Sequence, residues 1–556
     1  MLSNHSLGAA GGRAVPDIGI PPPAISSELK QLFAYGLYQP PALPLELWSC
    51  IASYLSNADI KSLRLTCKQF NNTVPLRLNR VFLSANPLNI EVFRNIASHD
   101  KFRHQVNEII WDEARLQRGP ERIRGINEGH ELVSDEDEPY NDRQWAAGYP
   151  PGYRADIIKR HEYEEEDRCP KWFKMGCEHN LYVLKYREDR GVDRPEVIAR
   201  REQVYAHPSL REHWQHYQQL LRQQKEVIAS QSDLEAFAFG VKQFPALKRV
   251  TITPAAHGNL ATPLYETPMI RAFPKGFNYP IPRGWLDRYR GFRTAMRVLA
   301  NEPNSVSELV MTSNYLPTGI NCTIFDEPCE EYDHFATVLK KPGFRRLDIA
   351  LLIGGDREED LEACWRSLLN GRLRRAVGEA KDMEEFRLHT TFDEVLHYEG
   401  GYPLLPLKDI VPVEQWPNLR HFELSGFVIS QDDCVSFLKT LPKSVRSIEL
   451  SMLNFVGGGD GYNMLEEIRR MVSKRTLWGD RDAGSRPKFT VGQGIVEDTH
   501  TLGQGIWAEK EVDDFIYGEG GNPFDRLFYF SIQLGVGVLR DALEPDFEHP
   551  YDRPFF

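Results

Sequence analysis

The sequence predicts an α/β protein in which a small helical module precedes an irregular solenoid of parallel strands and helices. Three observations lead to this prediction. Two short amphipathic helix patterns occupy residues 43–70, a strand template recurs seven times between residues 106 and 450, and helical stretches precede most of its copies. At 556 residues the chain exceeds the size, about 250–300 residues, at which a single core stops growing. Several domains or one elongated array are therefore expected.

The first helix pattern begins at a proline. Leu43, Leu47, Ile51 and Leu55 recur every fourth residue, which places them along one side of a helix. Pro44 suits the start of that helix, because its fixed φ fits a helix and its missing N–H would have no partner there. The pattern predicts a short helix with one apolar stripe.

A second helix pattern follows at once. Ser56 and Asp59 have the spacing of a capping box, which opens a helix. The apolar stripe of this helix comprises Ile60, Leu63, Cys67 and Phe70. Two helices this short are too small to bury their own apolar faces, so we expect a partner protein to cover them. The alternative is an ordinary helical hairpin packed inside its own domain.

Residues 40–82 resemble the F-box, the adaptor-docking module of substrate receptors in SCF (Skp–cullin–F-box) ubiquitin ligases. The matching positions are, in order, Leu43, Pro44, Leu47, Ile51, Leu55, Asp59, Leu63, Leu65, Cys67 and Phe70. The sequence departs from the family pattern at Thr66, where an aliphatic residue is common, and at Phe70, where tryptophan is frequent. The resemblance implies that a Skp-type adaptor and, through it, a cullin are partners. The adaptor contacts that it implies are Leu43, Pro44, Leu47, Ile51, Leu55, Leu63, Leu65, Cys67 and Phe70.

A strand template, apolar-x-x-apolar-x-apolar, recurs along the rest of the chain. Its seven copies are Val106–Trp111, Leu247–Ile252, Val306–Met311, Phe344–Ile349, Met383–Leu388, Leu419–Leu424 and Val445–Leu450. Helical stretches precede the last six copies, although the segment before Leu419 is the least helical of them. A further strand is predicted at Arg80–Leu83, a helix near residues 90–98, and one or two strands near residues 488–496.

Such alternation is typical of a leucine-rich-repeat solenoid, in which each strand joins one parallel sheet and its helix covers the outer side. Only the last two copies, which begin at residues 419 and 445, have a spacing within the usual ~20–29 residues, so the other repeats need longer outer segments. The alternative is an open α/β sheet of unrelated strands. With the F-box ahead of these repeats, the chain resembles the divergent F-box/leucine-rich-repeat receptors common in filamentous fungi.

These patterns divide the chain into four regions. They are a disordered leader at residues 1–39, the F-box at 40–82, a leucine-rich-repeat-like solenoid at 83–500, and an aromatic, Gly- and Pro-rich C-terminal tail at 501–556. A large acidic insertion at about residues 113–232 interrupts the solenoid and carries a polar helix from about Ser209 to Ala229. Acidic runs of this kind are usually solvated, and a docking surface for a basic partner is the alternative.

Composition excludes several classes of protein. The net charge of −12 disfavours nucleic-acid binding, which needs a basic face. Eight scattered cysteines in a chain of this length indicate a reducing compartment rather than a disulfide framework. No secretory signal is evident, and no apolar run approaches the ~18 residues of a membrane span. We therefore expect a soluble protein of the cytoplasm or nucleus, with no nucleic-acid or membrane partner.

No catalytic, metal or cofactor site is expected. The sequence contains neither the nucleophile elbow G-x-S-x-G nor the zinc motif H-E-x-x-H. Cys169, Cys177 and His179, like Cys322 and Cys329, are too loosely spaced for a structural zinc site. We read the glycine loop at residues 457–461 as a repeat turn, because it lacks the Lys-Ser/Thr of a phosphate-binding loop.

The leading functional hypothesis is a non-enzymatic substrate-recognition subunit of an SCF-type E3 ubiquitin ligase, with the F-box on the adaptor and the repeats on a target protein. Basic residues between the apolar template positions predict a local positive field and some preference for acidic or phosphorylated targets. The proposed target contacts are Arg249, Arg346, Arg387, His389, Arg420, His421 and Arg446. One alternative is a repeat scaffold that binds the adaptor or other proteins without feeding a ligase. Another is an enzyme that uses the Gly-rich C-terminal region.

Overall fold

The described part of the chain forms two compact units that part between Arg77 and Leu78. A computed structural model describes residues 44–55, 57–74, 76–113, 116, 173, 210–253, 290–312, 319–353, 366–390, 405–494, 504–525, 531–541 and 544–551. The predicted leader, Leu43, Ser56 and most of the acidic insertion lie outside these residues.

The described residues of the N-terminal unit form three short helices, α1 (Leu45–Ser53), α2 (Asn57–Thr66) and α3 (Lys68–Thr73). Pro44 precedes α1 with φ −52°, so it stands just before the helix as the sequence predicts. The second predicted helix is divided, which the sequence pattern did not show. Its stripe was expected to run through Cys67 to Phe70, but α2 ends at Thr66, and the Cys67 sulfur caps α3 by accepting a hydrogen bond from the Phe70 N–H at 3.5 Å.

The second unit is built on one large sheet. Its strands are β1 Arg80–Leu83, β2 Glu108–Asp112, β3 Arg249–Thr253, β4 Glu308–Met311, β5 Ile320–Asn321, β6 Arg346–Leu352, β7 Glu385–Thr390, β8 His421–Ser425, β10 Ser447–Ser451, β12 Lys488–Gly494, β13 Gln504–Ala508, β14 Val538–Asp541 and β15 Glu544–Pro550. Two short parallel strands, β9 Val428–Ser430 and β11 Asn454–Val456, form a separate pair. From β1 to β12 the main strands pair in parallel and in chain order.

Helices connect these strands. They are α4 Pro87–Ser98, α5 Leu210–Ser230, α6 Ser232–Gln243, α7 Arg290–Asn301, α8 Glu330–Leu339, α9 Arg372–Gly378, α10 Leu407–Ile410, α11 Gln431–Leu438, α12 Gly461–Ser473 and α13 Lys510–Tyr517. Short 3₁₀ turns occupy Phe102–His104, Cys322–Phe325, Val413–Gln415 and Ala483–Ser485. From α6 to α13 each described helix contacts the next described one. Parallel strands need such crossovers, and in the described residues before β8 the helix is α10, four residues long.

All seven template copies become neighbouring parallel strands, as the sequence predicts. The three apolar positions of every copy are buried, and their registers align the copies side by side, for example Leu347 beside Phe386 and Phe386 beside Phe422. These side chains pack with the helices into one continuous core. Because side chains alternate across a strand, the positions between them form the opposite face of the sheet.

The sheet continues beyond the last template copy. The strand predicted near residues 488–496 is β12, which pairs in parallel with β10. After β12 the pairing becomes antiparallel through β13, β14 and β15, which come from the region that the sequence assigned to a C-terminal tail. The described part of the protein is therefore a mixed α/β structure with a large, mainly parallel sheet.

Among the described helices, none combines the length and the apolar character that crossing a bilayer requires.

Candidate functional site

The N-terminal unit has a small core of its own. Trp48 and Ala52 on α1, Ile60 on α2, and Phe70 and Val74 at α3 are all buried and pack together. The Trp48 and Phe70 rings meet edge to face with centroids 4.6 Å apart. This core holds the three helices together, so it accounts for one face of α1 and leaves the other available.

The opposite side of α1 is apolar and exposed. Leu47, Ile51 and Tyr54 retain 49%, 42% and 85% of their accessible surface, and Leu65 at the end of α2 retains 87%. Residues 47, 51 and 54 lie four and then three positions apart, so they share one face of α1. We call Leu47, Ile51, Tyr54 and Leu65 the docking residues. Several large exposed apolar side chains on so small a unit are typical of a protein-binding surface.

Two arginines fix the connections beneath this surface. The Arg64 guanidinium donates to the Val74 carbonyl at 2.7 Å, and the Arg77 guanidinium donates to the Leu55 carbonyl. Both bonds satisfy backbone oxygens where helices end, which otherwise need partners. The unit therefore presents its docking residues on a defined backbone.

The structure distributes the predicted adaptor contacts over three environments. Pro44, Leu47, Ile51 and Leu65 are exposed, while Leu55, Leu63 and Cys67 are half-buried against the core. Phe70 is buried, so in this unit its side chain supports the fold, and Leu43 lies outside the described residues. Sequence reasoning missed Tyr54, although its position seven residues after Leu47 would have placed it on the same helix face.

The sheet unit carries a second notable surface, on the face opposite its core. Across the strands, one row of aligned positions reads Glu108, Arg249, Glu308, Arg346, Glu385 and His421. From Glu108 to Glu385 the charges thus alternate in sign from strand to strand, and opposite charges on adjacent strands stabilise a sheet. We call this surface the polar face.

Most basic groups on the polar face contact the protein's own carboxylates. Glu308 accepts hydrogen bonds from Arg249 at 2.7 Å and Arg345 at 2.6 Å. Burial alone would raise the pKa of Glu308, but these two arginines outweigh it and lower the pKa. Arg346 pairs with Asp348 at 2.7 Å and Glu385 at 3.3 Å. This part of the face is therefore close to neutral.

Glu423 lies at the centre of a tighter cluster. Arg387 Nε is 3.1 Å from its carboxylate, and His389 Nε2 and His421 Nε2 are each 3.4 Å away. Burial alone would raise the pKa of Glu423, but His389, His421 and Arg387 overcome it and lower the pKa to about 2. Glu423 is thus held as an anion by three surrounding basic groups.

Glu449, on the next strand, has a different environment. It is the register partner of Glu423, and the Trp507 indole N–H donates to its carboxylate at 2.8 Å. Burial first, and the Glu423 charge second, raise the pKa of Glu449 to about 7. Two adjacent carboxyl groups on the same face therefore have widely different pKa values.

The structure brings five of the seven proposed target contacts to the polar face: Arg249, Arg346, Arg387, His389 and His421. Arg420 and Arg446 are exposed just before β8 and β10, so they do not join this cluster. The preference for acidic targets stays a prediction. Sequence reasoning missed Glu308, Asp348, Glu423, Glu449 and Trp507, because their roles depend on which strands become neighbours.

Within the described residues, no group of three or more His, Cys, Asp and Glu side chains could hold a metal ion. Of the zinc candidates, Cys322 is buried and Cys329 donates to the Ile324 carbonyl at 3.5 Å. Cys169, Cys177 and His179 fall outside the described part of the chain.

Comparison with known proteins identifies one domain. The family model of the F-box domain matches residues 41–79, which include the three described helices of the N-terminal unit. No curated protein matches the chain. F-box domains typically bind Skp-type adaptors, so this domain suggests an adaptor-binding, substrate-receptor role in SCF-type complexes.

Proposed function

Because the chain carries an F-box domain, we propose that it is the substrate-recognition subunit of an SCF-type E3 ubiquitin ligase. In this proposal the F-box binds a Skp-type adaptor, the adaptor links it to a cullin, and the sheet unit binds a target protein. The observation that carries the proposal is the exposed row of docking residues above a separately packed core. Such a receptor works in the cytoplasm or nucleus.

The energetics of the docking residues fit this role. Full burial of one Leu or Ile side chain is worth about 1.5–3 kcal/mol, and a few well-buried residues usually dominate a protein interface. Leu47, Ile51 and Leu65 each still expose two fifths or more of their surface, so most of that free energy remains to be gained on binding. The core beneath them keeps the backbone in place, which limits the entropy lost on association.

We propose further that the sheet unit is an irregular leucine-rich-repeat-like array. Its support is the pairing of β1 to β12 in parallel and in chain order, together with helices that contact one another in the same order. An open sheet of unrelated strands has no reason to place the same template position side by side in seven strands. Such an array offers one continuous face to a target.

The proposed mechanism is proximity rather than chemistry by this chain. Holding a target beside the ubiquitin-carrying enzyme raises the effective concentration of the target's lysine, an entropic gain that needs no acid, base or metal here. The receptor is therefore proposed to be non-enzymatic and to require no cofactor.

The direct test replaces Leu47, Ile51 and Leu65 together by alanine in the full chain. Removing three central apolar contacts is expected to weaken binding of the purified Skp-type adaptor by at least about 100-fold. Adaptor binding would be measured by titrating the purified adaptor against the immobilised full chain. Cullin recovery would be measured by co-purification. The N-terminal core contains none of these side chains, so the thermal unfolding profile is expected to stay close to that of wild type.

A matched control replaces Leu88, Leu369 and Leu534, which are similarly exposed leucines of the sheet unit. This control variant is expected to bind the adaptor as wild type does. Unchanged adaptor affinity in the variant of Leu47, Ile51 and Leu65 would contradict the proposed function. Adaptor binding without cullin recovery would instead favour the adaptor-binding scaffold.

A further inference from the structure

We propose that the target protein anchors on the polar face through a basic side chain, arginine or lysine, which pairs with Glu449 beside Glu423. This inference rests on the proposed receptor function and specifies the chemistry of its target. The site consists of Glu423 on β8, Glu449 and Ser451 on β10, Gly492 on β12 and Trp507 on β13.

The first argument is that the basic groups around this site are already matched. Arg387, His389 and His421 all surround Glu423 at 3.1–3.4 Å. Arg387 also lies 3.5 Å from Asp348. An acidic target would have to displace internal carboxylates from these groups, and each displacement leaves a buried carboxylate without its partner.

The second argument is that Glu449 has no cation within ion-pair distance among the described residues. Its described side-chain hydrogen bond comes from the neutral Trp507 indole. On one side its register neighbour is the Glu423 anion, and on the other it is Thr490. Lys488, in the adjacent row of β12, pairs with Glu509 at 2.8 Å. Glu449 thus lies beside another carboxylate and has no directly paired cation of its own among the described residues, an arrangement that suits a basic partner.

The third argument comes from a buried hydroxyl at the same place. Ser451 lies two residues after Glu449 and therefore on the same face of β10. It is fully buried, and its Oγ has no hydrogen-bond partner among the described residues. Buried polar atoms are nearly always hydrogen-bonded in native structures, so this hydroxyl has an unused hydrogen-bonding capacity, and one of its roles is to accept from a donor. An arginine or lysine side chain supplies several N–H donors.

Gly492 connects these groups in space. A Cβ built on Gly492 would lie 2.6 Å from Ser451 Cβ and 2.8 Å from Trp507 Nε1. Ser451 and Trp507 thus approach the same point above the glycine. The absence of a side chain there lets the Trp507 ring cross β12 and reach Glu449. Carboxylate, hydroxyl and indole therefore converge on one small area of the polar face.

The electrostatics give this site a measurable signature. Burial and Glu423 raise the pKa of Glu449, whereas Trp507, His421 and Arg387 act in the opposite direction. A bound cation favours the carboxylate form, so binding should displace a proton from Glu449. Affinity for a basic side chain should consequently rise as the pH increases through about 7.

The test uses a random-peptide display library selected on the immobilised full chain. Enriched peptides are expected to share an arginine or lysine at one position. Replacing that residue by the neutral citrulline or glutamine should lower affinity at least about 10-fold. Glu449→Gln should lower the affinity of the basic peptide by a similar factor and have little effect on the neutral one. This pattern identifies the pair directly.

The matched control is Glu385→Gln, which makes the same charge change on the same face at a carboxylate paired with Arg346. It is expected to bind the basic peptide as wild type does. Between about pH 6 and pH 8 the affinity for the basic peptide should rise more steeply for wild type than for Glu449→Gln. The variant has no titratable group at position 449, whereas His389 and His421 are present in both proteins.

Enrichment of acidic peptides, no enrichment at all, or equal affinity of Glu449→Gln and wild type for the basic peptide would each overturn the proposal. Adaptor binding, measured on the same protein samples, separates this failure from failure of the receptor function. Intact adaptor binding with no basic-peptide preference removes only the target anchor.

Discussion

Glu423 and Glu449 are the same residue type on neighbouring strands, and their surroundings give them opposite proton affinities. Glu423 lies among Arg387, His389 and His421, which hold it ionised despite its burial. Glu449 is buried beside that anion, with the Trp507 indole as donor, so its neutral form is favoured. At this scale, the contacts of each side chain decide what it can bind.

At the residue scale we predict that Glu449→Gln stabilises the protein in a pH-dependent way. An unfolded glutamate ionises near pH 4.5, whereas Glu449 in the folded chain does so near 7. The folded state therefore holds more protons across this interval, and wild-type stability falls as the pH rises through it. The variant should exceed wild type by about 3 kcal/mol near pH 8 and by much less near pH 5. Urea titrations at several pH values provide the measurement.

The contrasting variant is Glu423→Gln, which leaves Arg387 and two histidines without their shared carboxylate. It is expected to lose about 3 kcal/mol near pH 7, since breaking a buried charge cluster is costly. Similar pH profiles for Glu449→Gln and wild type would show that Glu449 is not the group that titrates near 7.

At the scale of the elements, strand β8 ends in a turn that only glycine fits. Gly426 has φ +69°, and a Cβ there would collide with the Thr390 carbonyl oxygen at the end of β7. The Thr390 hydroxyl also donates to the Gly426 carbonyl, which ties the ends of the two strands together. The close approach lets the chain turn from β8 directly into β9 (Val428–Ser430).

We predict that Gly426→Ala destabilises the sheet unit by about 2–4 kcal/mol, because it combines a left-handed backbone with a backbone clash. Gly343→Ala is the matched control, since Gly343 has φ +78° but no atom near its absent Cβ. The control should lose only about 1 kcal/mol, the cost of the backbone conformation alone. Equal shifts of the denaturant midpoint for both variants would show that the Thr390 contact is not destabilising.

At the scale of the whole molecule, the chain contains two separately packed units. The core around Trp48 and Phe70 includes no side chain of the sheet unit, and the sheet unit has its own continuous core. This division matches a receptor in which one part binds the ligase and another binds the target.

We predict that a chain lacking residues 1–77 still folds, because the sheet pairs and the large core lie entirely after that point. Its main thermal transition should stay within a few degrees of that of the full chain, and adaptor binding should be lost. Differential scanning calorimetry and adaptor titration would measure the two effects. A truncated chain that aggregates, or that unfolds well below the full chain, would show that the units depend on each other.

Much of the fold could be predicted from the sequence because its signals are local. Burial of three positions in each template copy, as at Leu347 and Ile349, repeats at the spacing of a strand and needs no knowledge of neighbouring strands. The apolar stripe of the first helix was equally visible. The orientation of this helix could not be predicted, because apolar residues lie on more than one side of α1. Only the packing shows that Trp48 and Ala52 face the core while Leu47 and Ile51 stay exposed.

The sequence by itself determined the apolar stripe of the first helix, the seven buried strand templates and the basic residues between their buried positions, since each follows from short-range periodicity. Only the tertiary structure decided which charges meet. Glu308 pairs with an arginine 59 residues before it, and Trp507 reaches a glutamate 58 residues before it. Strand register, rather than sequence spacing, sets such distances, and it pairs most basic residues of the polar face with the protein's own carboxylates.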